Sequence, residues 1–191
     1  MNEKDIIDLI KSDKWMMEIL EATKSLNLPD WWIGAGFVRG KVWDTLHGYS
    51  SRTPLTDIDV IYFDKNDFSE DEAIGESTRQ EIVYEDKLNK LIPNVNWSVT
   101  NQARMHLYHK TDPYKSSEEA LADWVETATC IGIKIGDNQN LILTAPHGID
   151  DLVNLILRPT TKTKENLKEF ERRVRDKKWL IKWPKLKVET S

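Results

Sequence analysis

Residues 31–63, WWIGAGFVRGKVWDTLHGYSSRTPLTDIDVIYF, constrain the fold more than any other part of the chain. Trp31, Trp32 and Ile33 read as a strand end, and Gly34 and Gly36 let the backbone turn sharply and approach a ligand closely. Val38, Val42 and Leu46 recur every fourth residue, which puts a helix start near Gly36 or Phe37. The free N–H groups and positive dipole end of such a helix face the turn and suit a phosphate. Asp57 to Tyr62 then read as a strand rich in β-branched residues. Residues two apart on a strand point the same way, so Asp57 and Asp59 present both carboxylates on one face. Two hard oxygen ligands that close suit Mg2+, which in turn bridges the oxygens of a triphosphate.

The order of these pieces carries more than any one of them. Strand, Gly-x-Gly turn, helix with an early arginine (Arg39), loop and Asp-x-Asp together fit metal-dependent nucleotidyl transfer. A P-loop needs a Lys-Ser/Thr pair after the glycines, and none follows. A dinucleotide fold needs G-x-G-x-x-G/A. Here Gly40 falls one place late, and paired aspartates are not the lone ribose-binding acid of that fold.

The segment resembles the head domain of CCA-adding enzymes and bacterial poly(A) polymerases, within the polymerase-beta-like nucleotidyltransferase superfamily. The likeness lies in Gly34-Ala35-Gly36-Phe37-Val38-Arg39, in Leu46-His47-Gly48 and in Asp57-Ile58-Asp59. The chain is also similar to a small bacterial family of stand-alone nucleotidyltransferase-like proteins. That second likeness adds Asn101 to His106, Ala145-Pro146-His147-Gly148 and Asp150-Asp151-Leu152, and spans roughly residues 30–160. The resemblance implies Mg2+ on Asp57 and Asp59 and an NTP substrate. It implies a nucleotide site at Gly34, Ala35, Gly36, Arg39 and Arg104, with Asp57, Asp59 and Arg39 as catalytic residues. Arg104 reaches the triphosphate if its strand neighbours Asp59.

The chain also departs from that pattern. Ala35 interrupts the usual glycine pair, and Gly40 stands where an acid normally follows the arginine. Most active relatives carry a third carboxylate on the next strand. The matching strand, Asn96 to Asn101, has none, and Ser98 holds the equivalent position. Asp44 and Glu126 are the spare carboxylates to examine, each with an alternative reading as a solvated helix residue.

Composition bounds the rest. A chain of 191 residues fits one domain with a single core, and 39% hydrophobic content with eight tryptophans excludes disorder. No apolar run approaches the ~20 residues of a membrane span, and the N-terminus lacks a signal peptide's apolar core. Cys130 is the single cysteine, so there is no disulfide framework, and it reads as a packing residue. A cytoplasmic bacterial protein fits all of this. From Arg158 to Ser191 there are 12 Lys and Arg against 5 Asp and Glu, a balance of +7 that leaves −12 on the remaining residues. Such a tail can track nucleic acid or dock back on the body, but Leu167, Phe170, Val174 and Lys177 on one stripe favour a solvated amphipathic helix, with Trp179 and Trp183 packing the tail on the body.

Elsewhere the pattern reads as scaffold. Asp5 to Leu26 is one opening helix, Ser69 to Glu72 a capping box ahead of a helix to about Leu91, and Ser116 and Ser117 the start of another. Asp64 to Gly75 lacks the ligands of a calcium loop. Strands are expected near Thr129–Ile135 and Leu141–Thr144, joined at Gly136-Asp137-Asn138, with a short helix over Asp150–Leu157. His106 and His109, three apart, are a weak zinc candidate. Metal-assisted phosphoryl transfer needs no histidine base, so His47 and His147 also stay outside the site.

The expected architecture is an α+β, polymerase-beta-like head: a mixed twisted sheet with helices packed on one face and a C-terminal helical extension. Residues 1–160 form the head and 161–191 a basic extension of the same domain. Three functions fit: NMP transfer from an NTP to a hydroxyl acceptor, a nucleotide- or partner-binding module without turnover, or a toxin–antitoxin-type transferase acting on a protein. RNA or a protein is the acceptor to consider. Only ~30 residues follow the resemblance, fewer than a template-reading domain needs, which argues against CCA addition.

Overall fold

The computed structural model describes residues 1–67, 79–109, 111–161 and 163–190. The expected capping box at Ser69–Glu72 and part of Asp64–Gly75 lie outside the described residues. The elements, in chain order, are α1 (Glu3–Lys11), α2 (Lys14–Lys24), β1 (Trp32–Gly34), α3 (Gly36–His47), β2 (Ile58–Tyr62), α4 (Arg79–Leu91), β3 (Trp97–Asn101), α5 (Met105–His109) and α6 (Ser117–Ala122). They continue through β4 (Gly132–Ile135), β5 (Leu141–Thr144), α7 (Asp150–Val153), β6 (Ile156–Leu157), α8 (Lys164–Asp176), α9 (Trp179–Lys182) and β7 (Lys187–Val188).

Five strands form a mixed sheet in the order β3-β2-β1-β4-β5. β2 and β3 are parallel, and the other pairings are antiparallel. Alternation divides β2 cleanly. Ile58, Val60 and Tyr62 face the main core, while Asp59 and Ile61 face the other side of the sheet. The main core gathers Ile6, Ile10 and Leu20 from α1 and α2, Val38 and Trp43 from α3, and Leu88 from α4. On the second face Ile61, Trp32 and Leu121 form a smaller apolar cluster with Trp124 against it.

Two glycines make that second cluster possible. Gly34 and Gly132 pair across β1 and β4. A Cβ on Gly34 would lie 3.0 Å from the Trp124 ring, and one on Gly132 would lie 3.2 Å from both Thr144 and Trp32. The flat floor they leave lets Trp124 and Leu121 lie close to the sheet.

The sequence expected one opening helix, but two form. Asp13 breaks the pattern by capping α2 through Met16 N–H, and its carboxylate also takes Lys41 at 2.8 Å and Arg52 at 2.9 Å. The expected strand from Thr129 begins later, at Gly132, after a 3-10 turn over Thr127–Thr129. The expected helix over Asp150–Leu157 ends at Val153, and Ile156–Leu157 pairs in parallel with Lys187–Val188. This two-stranded sheet joins segments about thirty residues apart and had no sequence signal. The hairpin turn after Gly136 forms as expected, with Gln139 N–H donating to Gly136 C=O.

Gly132→Ala tests the tight floor of the second face. Its Cβ meets neighbours on three sides, so equilibrium unfolding in denaturant should register a loss of about 1–3 kcal/mol. An unchanged midpoint would mean that the Trp32–Leu121 cluster has room to yield.

Candidate active site

The turn before α3, α3 itself and the start of β2 meet at one cavity. Its volume is about 750 Å3, and Ala35, Gly36, Arg39, Asp57 and Asp59 all line it. Asp59 reaches it because the second face of β2 stays open at that end of the strand, and Asp57 lies one residue ahead of the strand on the same side. α3 begins at the cavity wall with no side chain capping its N-terminus, so its first N–H groups are available to an anion. The turn into it is strained: Ala35 holds φ 47° and ψ −117°, a conformation suited to glycine.

Arg39 is the cation on the head side of the site, and its setting is unusual. It is 7% exposed. Its guanidinium carbon lies 4.6 Å from the Trp179 ring centroid and 5.1 Å from that of Trp43, and Nη1 donates to Thr129 Oγ1 at 2.6 Å. Its Nε has no hydrogen-bond partner, and no carboxylate pairs directly with it among the described residues. Burial pulls its pKa down to about 10, against the longer-range pull of Glu126, Asp59 and Asp57, so it stays charged at neutral pH. A buried guanidinium with a spare donor, facing a cavity, suits an anionic ligand.

Asp59 is perturbed the other way. Burial, and then the neighbouring Asp57, hold its carboxyl up at about 6, with Arg39, Lys177 and Arg173 pulling it back. Two carboxylates on one cavity wall are hard oxygen donors of the kind that would suit Mg2+. Among the described residues no group of three His, Cys, Asp or Glu is placed to hold a metal. Ser98 does sit beside Asp59, its register partner on β3, but brings a hydroxyl where a third acid would be needed.

Both spare carboxylates are committed elsewhere. Asp44, 5% exposed, accepts from Thr53 N–H at 2.8 Å, Thr53 Oγ1 at 2.6 Å and Trp183 Nε1 at 2.7 Å. Glu126, fully buried, takes Arg173 Nε at 2.6 Å and Nη2 at 3.2 Å. Neither is a solvated helix residue, and neither lines the cavity.

Two expected nucleotide contacts need correction. Gly34 is the last residue of β1, lies beneath Trp124 and is not part of the cavity wall. Arg104 lies past the C-terminal end of β3, whereas Asp59 sits near the N-terminal end of the parallel β2. There it pairs with Glu81 at 2.9 Å and is not part of the cavity wall. The weak zinc candidate has different partners: His106 Nδ1 meets Ala103 C=O, and His109 Nδ1 meets the Tyr114 hydroxyl. His47 bridges Trp43 C=O and Lys185 N–H, and His147 meets Ala122 C=O.

The largest omission of the sequence reading is the C-terminal extension as a wall of the site. Arg173, Lys177, Trp179 and Lys182 all line the cavity. The stripe of Phe170 and Val174 packs α8 on the core, while the next face turns inward to the cavity.

A nucleotidyltransferase family model matches residues 21–188, so the chain belongs to that nucleotidyltransferase family. A solved NMR structure described as revealing a CCA-adding enzyme head domain is 30% identical, with a TM-score of 0.84, covering 100% of this chain and 97% of that one. A CCA-adding enzyme in complex with CTP matches at 12% identity and TM-score 0.59, covering 99% of this chain and 43% of that chain. The Thermotoga maritima CCA-adding enzyme complexed with tRNA matches at 12% identity and TM-score 0.57, covering 100% of this chain and 43% of that chain. The last two share the fold at low identity. No curated protein matches the chain in sequence. The mixed sheet and its helices are therefore the CCA-adding enzyme head-domain fold expected from the sequence. Among the described residues no helix is long and apolar enough to cross a membrane.

Asp59→Asn in metal-free buffer reads the electrostatics directly. The folded protein keeps the Asp59 proton up to about 6 while the unfolded chain releases it near 3.8, so this group's contribution to stability falls as pH rises through that window. The variant should be more stable than wild type at pH 8 by about 1–3 kcal/mol, with the difference vanishing below pH ~4. An equal gain at both pH values would place the effect in packing, not charge.

Proposed function

As a member of the nucleotidyltransferase family, this chain is, we propose, a Mg2+-dependent enzyme that transfers NMP from an NTP to a hydroxyl acceptor. One observation carries the reading. The uncapped α3 N-terminus, the unpaired Arg39 guanidinium and the Asp57–Asp59 pair all open on one cavity.

Asp57 and Asp59 would hold the metal, which supplies charge neutralisation on the triphosphate and alignment of the α-phosphorus. The Ala35–Gly36 turn would bring the first N–H groups of α3, from Gly36 on, against the phosphate chain, the Ala35 N–H being donated to Ile131 C=O. Arg39 offsets negative charge that builds on the departing pyrophosphate, in a site where burial strengthens its field. The acceptor oxygen attacks the α-phosphorus, the bond to pyrophosphate breaks, and the acceptor's proton leaves to solvent. Residues 161–191 act as part of the same domain, a reading supported by Phe170, Trp179, Trp183 and Leu186 lying in the main core.

A second reading, nucleotide binding without turnover, draws on the position of Ser98 and the commitment of Asp44 and Glu126. Titration of MgATP followed by NMR should move amides at Gly36–Arg39 and Asp57–Asp59. Pyrophosphate release over a panel of RNA, protein and small hydroxyl acceptors should fall at least about 100-fold in Asp57→Ala. Binding at those amides with no pyrophosphate from any acceptor selects the second reading. Shifts clustered elsewhere contradict both.

A further inference from the structure

Two lysines of the C-terminal extension line the active-site cavity with no ion pair among the described residues, and what they do rests on the nucleotidyltransferase reading above. Along α8, Glu165, Glu169, Arg173 and Lys177 recur every fourth residue and so share one helix face, which lines the cavity. The face is graded from acidic to basic towards its C-terminal end. Arg173 is neutralised by Glu126. Lys177 is partly buried, forms no ion pair among the described residues, and its charge is felt at Asp59.

Lys182, the last residue of α9, lines the same cavity, is partly buried, and is likewise without an ion pair among the described residues. Its backbone is fixed from three sides. Tyr49 donates its hydroxyl to Lys182 C=O at 2.9 Å, Trp183 donates to Asp44, and Trp179 stacks on Arg39.

The charge balance of the site gives these ammonium groups a purpose. Two carboxylates cancel the charge of the one divalent cation they suit, and although Asp123, Glu165 and Glu169 also line the cavity, no group of three acids among the described residues is placed to hold another. That leaves a triphosphate facing Arg39 alone on the head side, with most of its charge uncompensated.

We propose that Lys177 and Lys182 complete the triphosphate subsite, holding the phosphate chain from the α8–α9 wall while the α3 N-terminus and Arg39 hold it from the β1–α3 turn. The extension is then part of the substrate site. The contribution is specific to the number of phosphates, because these lysines meet the β- and γ-groups that a monophosphate lacks.

Calorimetric titration of MgATP and NMR shift titration of AMP into the full chain test this. The forms compared are wild type, Lys177→Met/Lys182→Met, the corresponding Arg pair, and Lys168→Met as an exposed α8 control, each checked by thermal melting. The Met pair should lose about tenfold or more in MgATP affinity and less than about twofold in AMP affinity. The Arg pair should recover MgATP binding, and Lys168→Met should match wild type. If the Met pair melts early, the Gln pair decides by the same ratio. Unchanged MgATP affinity, or equal losses for MgATP and AMP, overturns the proposal while leaving the nucleotidyltransferase reading intact. A folded wild-type protein that binds no MgATP at millimolar concentration removes that reading and this proposal together.

Discussion

The burial of Arg39 is the constraint on which the rest of the site depends. A guanidinium taken out of water without a carboxylate against it is costly unless other groups replace its hydration. Two tryptophan faces and the Thr129 hydroxyl do so here, helped by the more distant charges of Glu126, Asp59 and Asp57. One of those faces, Trp179, comes from the far end of the chain. The cation therefore keeps its charge, keeps an unused donor, and requires the C-terminal extension in place.

The other contacts of the extension follow the same logic. Trp183 donates to Asp44 on α3, Lys185 N–H meets His47, and Arg173 closes on the buried Glu126. The two acids that looked available to a second metal are the anchors of this attachment. Removing either would leave a buried donor or cation unpaired, a larger loss than a surface ion pair would bring. The cavity thus has the Asp57–Asp59 pair and Arg39 on the head side and Arg173, Lys177 and Lys182 on the wall that the extension supplies.

The strand–turn–helix–strand unit was legible because its periodicities are local. Val38, Val42 and Leu46 marked α3, and alternation put Asp57 and Asp59 on one side of β2. Ser98 stands at the position that the family resemblance marks for a third acid, and the parallel register sets it opposite Asp59. What escaped depends on distant partners. Gly34 was read as a phosphate cradle, since a glycine's reason for lacking a side chain is visible only when Trp124 is placed above it. Arg104 was read as a phosphate ligand, although strand direction carries it to the far end of the sheet. The inward face of α8 was hidden because Arg173 looks like a solvated helix charge, and Lys177 like the end of the apolar stripe, until the cavity is seen behind them. The parallel pairing of Ile156–Leu157 with Lys187–Val188 has too few residues for any pattern.

Trp179 is where the claim that extension and site form one unit is most exposed. MgATP binding to Trp179→Leu, measured by calorimetry well below its unfolding transition, asks whether losing the aromatic face beneath Arg39 reaches the substrate. The account expects a protein that still folds cooperatively but binds MgATP about tenfold or more weakly than wild type. Wild-type affinity in a variant whose melting temperature has fallen would contradict it, and would reduce the extension to scaffold.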